Sequence, residues 1–597
     1  MGNRLELTWY GKENPRKIEP RLLIENTQLS VNSDNGMTDN LLIHGDNLLA
    51  LKALEKKYNK QVKCIYIDPP YNINAANEHY DDFVEHSMWL HLMRERLILL
   101  KGLLAKEGSI WIQIDDEEMA YLKVLCDEVF GRNNYVNTLS VNMKNIAGVS
   151  GGGEDKRLKK NCEFILIYAR NYPDMELFKP QYVYTELSEL IQQYMNDGKS
   201  WKYTSVLIDP GEKEYYGSTV DGDGNEIKVY LRKNPVMMSI KQVATRDGIT
   251  EKEAYKKYGI SIFQTTNAQS SIRTRVMDYK KEENIEDDLI SIEYTPRSGK
   301  NKGTIYEQFY KGDKCRLFVW LRDTSEVIND KLYKKDLLGT YWDMNAWMKN
   351  VAKEGNVEFP NSKKPEQLIA QIFDMATNEG DLVLDSFLGS GTTIAVAHKM
   401  KRRWIGIEMG DHAYTHCKKR IDTIIKGADE KGITSQYNWQ NGGGYKFFEI
   451  APSLIQKDEF DENIINPEYD ANMLAAAVAL HEGFVYSPSA TTFWKQAQGT
   501  ENSFLFVTTR HINREYLDSI ASSMSKDEFL IIACRSYDSN ADCVYPNISI
   551  KKIPQMLLEK CEFSKDDYSL NIINPPIYED ELDDEEECDF HNIHPTI

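Results

Sequence analysis

Short apolar runs, each followed by an amphipathic stretch, recur along the first part of the chain. Residues 41–44 (LLIH) precede leucines at helical spacing, and residues 62–67 (VKCIYI) are apolar almost throughout. Runs of this kind are typical of parallel strands that are buried on both faces. Residues 86–108 predict an amphipathic helix that ends at Gly108, and residues 109–115 (SIWIQID) predict another buried strand. The pattern indicates an α/β fold.

The same alternation returns late in the chain and divides it into regions. Residues 363–409 predict a helix, a strand, a glycine-rich turn, a helix and a strand, so we expect the two α/β pieces to close into one sheet. From about residue 142 the composition changes to glycine, charge and tyrosine, although residues 162–170 still predict a core strand. We therefore expect core regions at 1–171 and 321–445, an inserted domain at 172–320, a small C-terminal α/β domain at 446–576 and an acidic tail at 577–597.

Composition narrows the class of protein. The chain has 597 residues, enough for several domains, and 41% of them are hydrophobic. No apolar run reaches the ~18 residues of a membrane span, and the N-terminus lacks the apolar core of a secretory signal, so we expect a cytoplasmic protein. Nine cysteines are scattered without paired spacing, which favours reduced thiols over a metal site or disulfides.

The formal net charge of −20 argues against a nucleic-acid binder, because phosphate contacts require Lys and Arg. The charge is unevenly distributed, however. Residues 141–320 contain 28 Lys and Arg against 26 Asp and Glu, whereas residues 579–589 contain nine acids in eleven positions. The inserted region is therefore compatible with DNA, and we expect the acidic run to stay solvated and disordered.

A glycine-rich turn follows the predicted strand DLVLD. It supplies small residues for close approach to a cofactor and hydroxyls at the start of the next helix: Asp385, Gly389, Gly391, Thr392 and Thr393. The spacing matches neither a Walker loop nor a full GxGxxG, so the turn alone is weak support. Glu408 strengthens it, because an acid about twenty residues on can accept both hydroxyls of a ribose. The alternative is a turn and an acid with no ligand.

A second motif, Asp68-Pro69-Pro70-Tyr71, follows the apolar run at 62–67. The exocyclic amine of a base is a poor nucleophile, because its lone pair is delocalised into the ring. Asp68 and a backbone carbonyl of the rigid proline pair can accept from that amine, and Tyr71 can stack on the base. In a duplex the amine is out of reach, so the nucleotide must be flipped out. The alternative is a rigid turn.

The order of these motifs along the chain resembles that of a known protein family. With LTWYGK, LLIHGDNLLALKAL, HSMWLHLMRERL, SSIRTRV, KKPEQLI and IGIEM, the chain resembles the modification (Mod) subunits of type III restriction-modification systems over most of residues 1–425. The resemblance implies a Rossmann-like, S-adenosylmethionine-dependent methyltransferase in permuted order that modifies the N6 amine of adenine in double-stranded DNA. It also implies an inserted target recognition domain, a homodimer and a separate ATP-dependent restriction (Res) subunit.

The resemblance also assigns residues to the cofactor site. The matching residues are Lys363, Pro365, Glu366 and Leu368 before the glycine turn, Phe387 at the methionine end of the donor, and Asp46 in a GD motif. For Asp46 a turn-forming role remains open. No base-reading residue can be matched in the inserted region. Candidate phosphate contacts there are Arg273, Arg275, Lys300 and Lys302, with solvated surface charge as the alternative.

Three alternative functions remain open. The chain could be a non-catalytic DNA-recognition subunit, a cytosine-N4 methyltransferase, or an enzyme that methylates RNA or a protein glutamine. Intact motifs favour catalysis, and Asp68 in place of a serine favours adenine over cytosine. No Pro-Cys pair occurs, so we expect direct methyl transfer. The sequence has no complete Walker loop, since Gly198-Lys199-Ser200 lacks the glycine five residues before Gly198, and it has no nuclease motif, so we do not expect the chain to translocate or cut DNA alone.

Overall fold

A computed structural model describes residues 6–9, 11–13, 15–32, 39–71, 86–144, 160–297, 301–329, 331–349, 351–359, 363–558 and 560–568. The chain divides into two compact units, Met1–Lys179 with Gly339–Ile597, and Pro180–Leu338. We call them the core unit and the inserted unit. The predicted acidic tail at 577–597 lies outside the described residues.

The core unit is built on one ten-stranded sheet. Its strands are β1 (Leu23–Glu25), β2 (Leu41–His44), β3 (Val62–Ile67), β4 (Leu104–Ile114), β5 (Tyr135–Asn142), β6 (Cys162–Ala169), β7 (Tyr341–Asp343), β8 (Leu382–Asp385), β9 (Arg403–Glu408) and β10 (Lys446–Ile450). Across the sheet they lie in the order β1-β10-β2-β9-β8-β3-β4-β6-β5-β7. The strands from β10 to β4 run parallel, and β6 is antiparallel to both β4 and β5.

Strands that are distant in sequence meet at the centre of this sheet. β8 pairs in parallel with β3, so that Val383 lies opposite Cys64 and Leu384 lies opposite Ile65. The chain continues from β8 to β9 on one side and from β3 to β4 on the other, which makes the gap between them a switch point of the kind where α/β sheets bind ligands. The predicted fold class, a Rossmann-like methyltransferase sheet in permuted order, is confirmed.

Helices cover the sheet. They are α1 (Asn47–Leu54), α2 (His86–Leu103), α3 (Met119–Cys126), a short helix at Asn345–Met348, α4 (Glu366–Ala376), α5 (Thr392–Lys399) and α6 (Lys419–Ile425). Apolar faces of α1, α2 and α3 pack in one buried cluster with strand residues such as Ile65, Ile67 and Ile110. Burial of this kind stabilises the fold by roughly 25 cal/mol per Å² of apolar surface.

Several boundaries differ from those predicted, and the inserted unit spans Pro180–Leu338 in place of residues 172–320. The helix predicted for residues 86–108 ends at Leu103, and β4 begins at Leu104. Leu104 pairs with Val62 across the sheet, so strand pairing prevails over helix propensity in this segment. Residues 446–450, which the sequence placed in the C-terminal domain, form β10 and pair with both β2 and β1.

The inserted unit contains an antiparallel eight-stranded sheet. Its order is Val236–Ser239, Ser205–Asp209, Ile262–Thr266, Arg316–Trp320, Tyr306–Lys311, Leu289–Tyr294, Glu226–Lys233 and Glu212–Val220. A three-stranded sheet joins Ser325–Ile328, Lys331–Leu337 and Tyr182–Glu186. The helices of this unit are Leu187–Asn196, Ile240–Asp247, Glu251–Tyr258 and Ser271–Glu282.

Residues after β10 add smaller elements to the core unit. A two-stranded sheet joins Ile455–Lys457 and Asn463–Ile465, and a five-stranded sheet has the order Val485–Tyr486, Ala497–Gln498, Ser503–Ile512, Phe529–Tyr537 and Ile548–Lys552. The last three of these strands are parallel. The helices are Ala471–Glu482, Arg514–Ser523 and Gln555–Leu558. The runs SFLFVTT and EFLIIAC thus form strands of a small α/β sheet.

Among the described residues, no helix is both long and apolar enough to cross a membrane. The cysteines in these ranges are free thiols, and most of them are buried. Burial raises the pKa of Cys64 and Cys126, so both thiols stay protonated and pack as apolar groups. The same ranges contain no group of three or more side chains placed to hold a metal ion.

Four charged side chains are buried together where α4, α5 and α6 meet. Glu366 accepts from Lys399 Nζ through Oε2 and from Arg420 Nη2 through Oε1, each at 2.7 Å, and Lys399 also pairs with Asp429 at 2.7 Å. None of these side chains has exposed surface. Burial disfavours the Glu366 carboxylate, but Arg420 and Lys399 outweigh that cost and lower its pKa. We call these residues the structural ion cluster.

Replacing Lys399 by methionine should destabilise the core unit by about 3–5 kcal/mol, because the substitution leaves the buried Asp429 without its cation and Glu366 with Arg420 alone. The free energy of unfolding is measured with urea, and each unfolding transition is fitted by itself. Lys457→Met is the matched control, since its ion pair with Asp461 is exposed and its loss should change little. Equal unfolding midpoints for Lys399→Met and the wild type would contradict a structural role for the cluster.

Candidate active site

The two sequence motifs meet at one edge of the sheet. Asp68 directly follows β3, and Asp385 is the last residue of β8, the strand paired with it. Burial raises the pKa of Asp385 to about 7, with a contribution from the charges of Asp68 and Glu408. The three carboxyl groups therefore share one environment, at the switch point between β3 and β8.

The glycine turn after β8 has the backbone conformation that glycine favours. Gly389 has φ +54° and Gly391 has φ +79°, in the left-handed region. A Cβ atom added to Gly391 would lie 3.1 Å from the Cα atom of Cys417, so the turn packs closely on the segment before α6. Gly391 also caps α5 at its N-terminus. The predicted turn is thus shaped by both φ and packing.

Two carboxylates hold this turn in place. Asp385 accepts from the backbone N–H of Phe387 at 2.9 Å and from Thr393 Oγ1 at 2.5 Å. Glu408, at the end of β9, accepts from the N–H of Gly389 at 2.7 Å and from that of Gly410 at 3.1 Å. Glu408 thus lies beside the turn at the end of the neighbouring strand, in the position expected of a ribose acceptor.

The residues matched before the glycine turn are engaged inside the protein. Lys363 Nζ donates to the carbonyl oxygens of Glu354 and Val357, Glu366 belongs to the structural ion cluster, and Leu368 is fully buried. Pro365 is the residue before α4. Thr392 Oγ1 accepts from Arg420 at 2.8 Å. Each of these polar groups is paired with another group of the protein. We infer that these residues stabilise the segments that hold the glycine turn.

Asp46 has a capping role in the structure. Its Oδ1 accepts from the N–H groups of Leu48 and Leu49 at the start of α1, and its Oδ2 accepts from the N–H of Tyr568 at 3.1 Å. These hydrogen bonds fit the turn-forming alternative, and contact of Asp46 with the cofactor stays a prediction. Its neighbour Asn47 donates to the carbonyl oxygen of Ser386 at 2.7 Å, which ties the GD motif to the glycine turn.

The DPPY segment forms a network of hydrogen bonds and charges that we call the catalytic cluster, defined by Asp68, Tyr71, Gln113, Glu163 and Lys364. Tyr71 Oη donates to Asp68 Oδ1 at 2.6 Å and to Glu163 Oε2 at 3.0 Å. Lys364 Nζ lies 2.7 Å from Asp68 Oδ2, and Gln113 Nε2 donates to Glu163 at 2.5 Å. Both oxygens of Asp68 therefore have partners.

The prolines position this cluster. Trp89 Nε1 donates to the carbonyl oxygen of Pro70 at 2.7 Å, so a fully buried side chain of α2 fixes the backbone after Asp68. Pro69 is buried within the same turn. Neither proline offers an N–H that would compete for Asp68.

The charges of the cluster depend on one another. Burial raises the pKa of Asp68, and Glu163 adds to this effect although Lys364 opposes it. Burial also disfavours the Glu163 carboxylate, but Lys364, Gln113 and Tyr71 outweigh it and lower its pKa. For Lys364, the two carboxylates outweigh the cost of burial and raise the pKa. Lys364 therefore stays charged between the two acids.

Sequence reasoning missed Lys364, Gln113 and Glu163. Lys364 is adjacent to the matched Lys363, and only their positions before Pro365 distinguish the two lysines in the sequence. Glu163 interrupts the apolar strand β6, which is a signal that a charged residue there has a partner. β6 runs antiparallel to β4, and this direction brings its first residues to the edge where Asp68 lies.

The DNA-contact candidates lie in the inserted unit with different surroundings. Arg273 donates to the backbone carbonyls of Cys315 at 2.8 Å and Lys314 at 2.6 Å, which is a structural use of its guanidinium group. Arg275 donates to the carbonyl of Val220 at 3.1 Å and is exposed. Lys302 lines a surface cleft. Lys300 lies outside the described residues.

A permuted Rossmann-like sheet with a glycine turn and a DPPY carboxylate at adjacent strand ends defines the class of S-adenosylmethionine-dependent amino-methyltransferases. A family model described as DNA methylase, of the N6 and N4 type, matches residues 62–419, which is more than half of the chain. The chain belongs to the N6/N4 DNA methylase family.

Named relatives add detail. The chain is 42% identical over 426 residues to the probable type III restriction-modification enzyme HindVI Mod subunit of Haemophilus influenzae, covering 71% of this chain and 56% of that protein. It is 24% identical to the EcoP15I Mod subunit of Escherichia coli, covering 80% of this chain and 77% of that protein. The chain thus spans little more than half the length of the Haemophilus protein. These relatives confirm the resemblance to Mod subunits.

Solved structures with a similar fold include PvuII DNA methyltransferase, described as cytosine-N4-specific, at 13% identity and a TM-score of 0.30. The match covers 67% of this chain and 93% of that chain. A complex of M1.HpyAVI with SAM has 13% identity and a TM-score of 0.27, and the match covers 64% of this chain and 99% of that chain.

Replacing Asp385 by asparagine should make stability less dependent on pH. The ordinary pKa of aspartic acid is about 3.9 in an unfolded chain. The raised value in the fold means that the stability associated with Asp385 is fully present below about pH 4 and is lost as pH rises through about 7. The free energy of unfolding of Asp385→Asn, measured with urea from pH 5 to pH 8, should therefore increase relative to that of the wild type as the pH rises. Parallel curves for the two proteins would refute the assignment.

Proposed function

We propose that this protein is the modification subunit of a type III restriction-modification system. It transfers a methyl group from S-adenosylmethionine to the N6 amine of adenine in double-stranded DNA. The observation that carries the proposal is the adjacency of Asp68 and the glycine turn at the ends of the paired strands β3 and β8. A base held at Asp68 and a cofactor held at the turn would meet across that gap.

Residues beside the turn fit S-adenosylmethionine, which supplies the methyl group when bound. Gly389 leaves the backbone of the turn open to close approach, because the nearest atom to a Cβ there, Phe359 Cζ, would lie 3.8 Å away. Glu408 places a carboxylate at the end of the next strand for the ribose. Phe387 is only partly buried, which leaves ring surface for the methionine end. Asp385 orients the turn through Phe387 and Thr393.

On the base side, Asp68 and a backbone carbonyl of the proline pair accept from the amine, and Tyr71 stacks on the flipped adenine. A carboxylate that accepts an amine hydrogen favours the pyramidal geometry in which the nitrogen lone pair can attack. Flipping costs a few kcal/mol, which stacking partly offsets. The transfer is direct and requires no cysteine nucleophile. As the carbon–nitrogen bond forms, the methyl–sulfur bond of the bound donor would break and the donor would leave as a neutral thioether. Asp68 is placed to stabilise the positive charge that develops on the amine, and the proton that the amine then loses would pass to Asp68 and on to solvent.

The inserted unit is proposed as the target recognition domain. Its sheets and helices form a compact unit that is distinct from the core unit. Arg275 and Lys302 are its proposed phosphate contacts. Arg275 is exposed and donates to one backbone carbonyl, that of Val220, whereas Arg273 donates to the carbonyls of Cys315, Lys314 and Ala268. We propose that the protein acts as a homodimer in the cytoplasm and that a Res subunit supplies ATP-dependent cleavage. The chain alone would modify DNA without cutting it.

The test is incorporation of labelled methyl groups from S-adenosylmethionine into unmethylated DNA, followed by nucleoside analysis. The wild type should produce N6-methyladenine, and Asp68→Ala should lower the rate by about a hundredfold or more, because a contact that strengthens in the transition state is lost. N4-methylcytosine as the product would support the cytosine alternative. Absence of any methylated base from a folded wild-type protein would refute the function.

Asp209→Ala is a suitable control for that substitution. Asp209 is exposed in the inserted unit, and its side chain accepts from the N–H of Gly211 in a surface turn. Its loss should leave the rate within about twofold of the wild type, since surface changes of this kind alter stability by less than about 0.5 kcal/mol. A comparable loss of rate in both variants would show that Asp68→Ala acts by disturbing the fold.

A further inference from the structure

We propose that Lys364 is a positioning residue for methyl transfer: its ammonium group keeps Asp68 ionised against the like charge of Glu163 and leaves Asp68 Oδ1 for the target amine. The inference rests on the proposed function and deepens it, because it names the residue that keeps the DPPY carboxylate ionised. It concerns a residue that acts through Asp68, not one that contacts the reacting atoms.

The geometry places one cation between two acids. Lys364 Nζ is 2.7 Å from Asp68 Oδ2 and 3.6 Å from Glu163 Oε2. The Lys364 side chain retains 9% of its surface, whereas Asp68 retains 20% and Glu163 18%. Lys364 Nζ also lies 5.1 Å from the centre of the Tyr71 ring. The ammonium group is therefore fixed by three members of the catalytic cluster and is shielded from solvent screening.

Two carboxylates confined at a buried site tend to share one proton, because like charges in a low dielectric oppose ionisation. Other charged or titratable groups of the described residues that face the pair are Tyr66, Tyr71, Asp385 and, near Glu163, Lys144. Asp385 adds to the negative field as the pH rises through its pKa of about 7. Without Lys364 the ionised forms of the two carboxylates would be less stable, so Asp68 would stay protonated to higher pH. A protonated Asp68 is a poorer acceptor for an amine.

The two oxygens of Asp68 have different partners, which suggests different tasks. Tyr71 Oη donates to Oδ1, and Lys364 donates to Oδ2. When the Tyr71 ring stacks on a flipped base, its hydroxyl group must leave Oδ1, and that oxygen becomes available to the N6 amine. Lys364 can keep its contact with Oδ2 throughout, so Asp68 does not rotate away from the amine.

The experiment measures single-turnover transfer of labelled methyl groups to unmethylated DNA from pH 5 to pH 9. Ionisation of Asp68 should define an acid limb in the wild-type profile. In Lys364→Met the limb should move to higher pH by about 1–3 units, because an opposite charge at close range is lost. In Glu163→Gln it should move to lower pH, because a like charge is lost and the amide keeps the shape. Lys364→Arg should stay near the wild type.

Opposite shifts from neighbouring substitutions distinguish positioning from a structural role. Lys399→Met is the matched control, since it also removes a buried lysine between two carboxylates but lies in the structural ion cluster. It should lower stability without moving the acid limb. If Lys364→Met does not fold, Glu163→Gln decides: an unchanged limb or a shift to higher pH overturns the inference. A wild type without methyl transfer would refute the proposed function, whereas an active wild type with unmoved limbs would overturn this inference alone.

Discussion

The parallel pairing of β3 with β8 is the constraint on which the site depends. Each strand is buried, and each ends at a carboxylate, Asp68 and Asp385. Their hydrogen-bonded register sets the separation of the two motifs regardless of the long stretch of chain between them. Because the connections from β3 and β8 run to opposite sides, the gap above this pair stays open for ligands. Permutation of the motif order therefore leaves the site intact.

Buried charge is used in two ways around that pair. The structural ion cluster contains Glu366, Lys399, Arg420 and Asp429 without exposed surface, and it joins three helices behind the glycine turn. The catalytic cluster keeps partial exposure, and its carboxylates outnumber its lysine. Each carboxylate of the first cluster is paired with a buried cation, whereas the second cluster retains an acceptor that a ligand can take over.

The acidic chain and a DNA substrate are compatible for a physical reason. Long-range attraction to phosphate depends on local charge, and the inserted region is close to neutral while the acids concentrate elsewhere. Arg273 illustrates why a basic motif is not itself an interface, since its guanidinium group is engaged with backbone carbonyls of Lys314 and Cys315. Exposed side chains with fewer such contacts, such as Arg275, are the better candidates for contact with phosphate.

Local pattern by itself determined the buried strands, the glycine turn and the DPPY segment, because each depends on residues that are neighbours in sequence. Only the tertiary structure decided which residues share the site. Lys364, not Lys363, reaches Asp68, and Glu163 joins it because β6 runs antiparallel to β4. Strand direction, register and the partner of a buried charge depend on contacts between distant segments, and a single sequence carries no local signal for them.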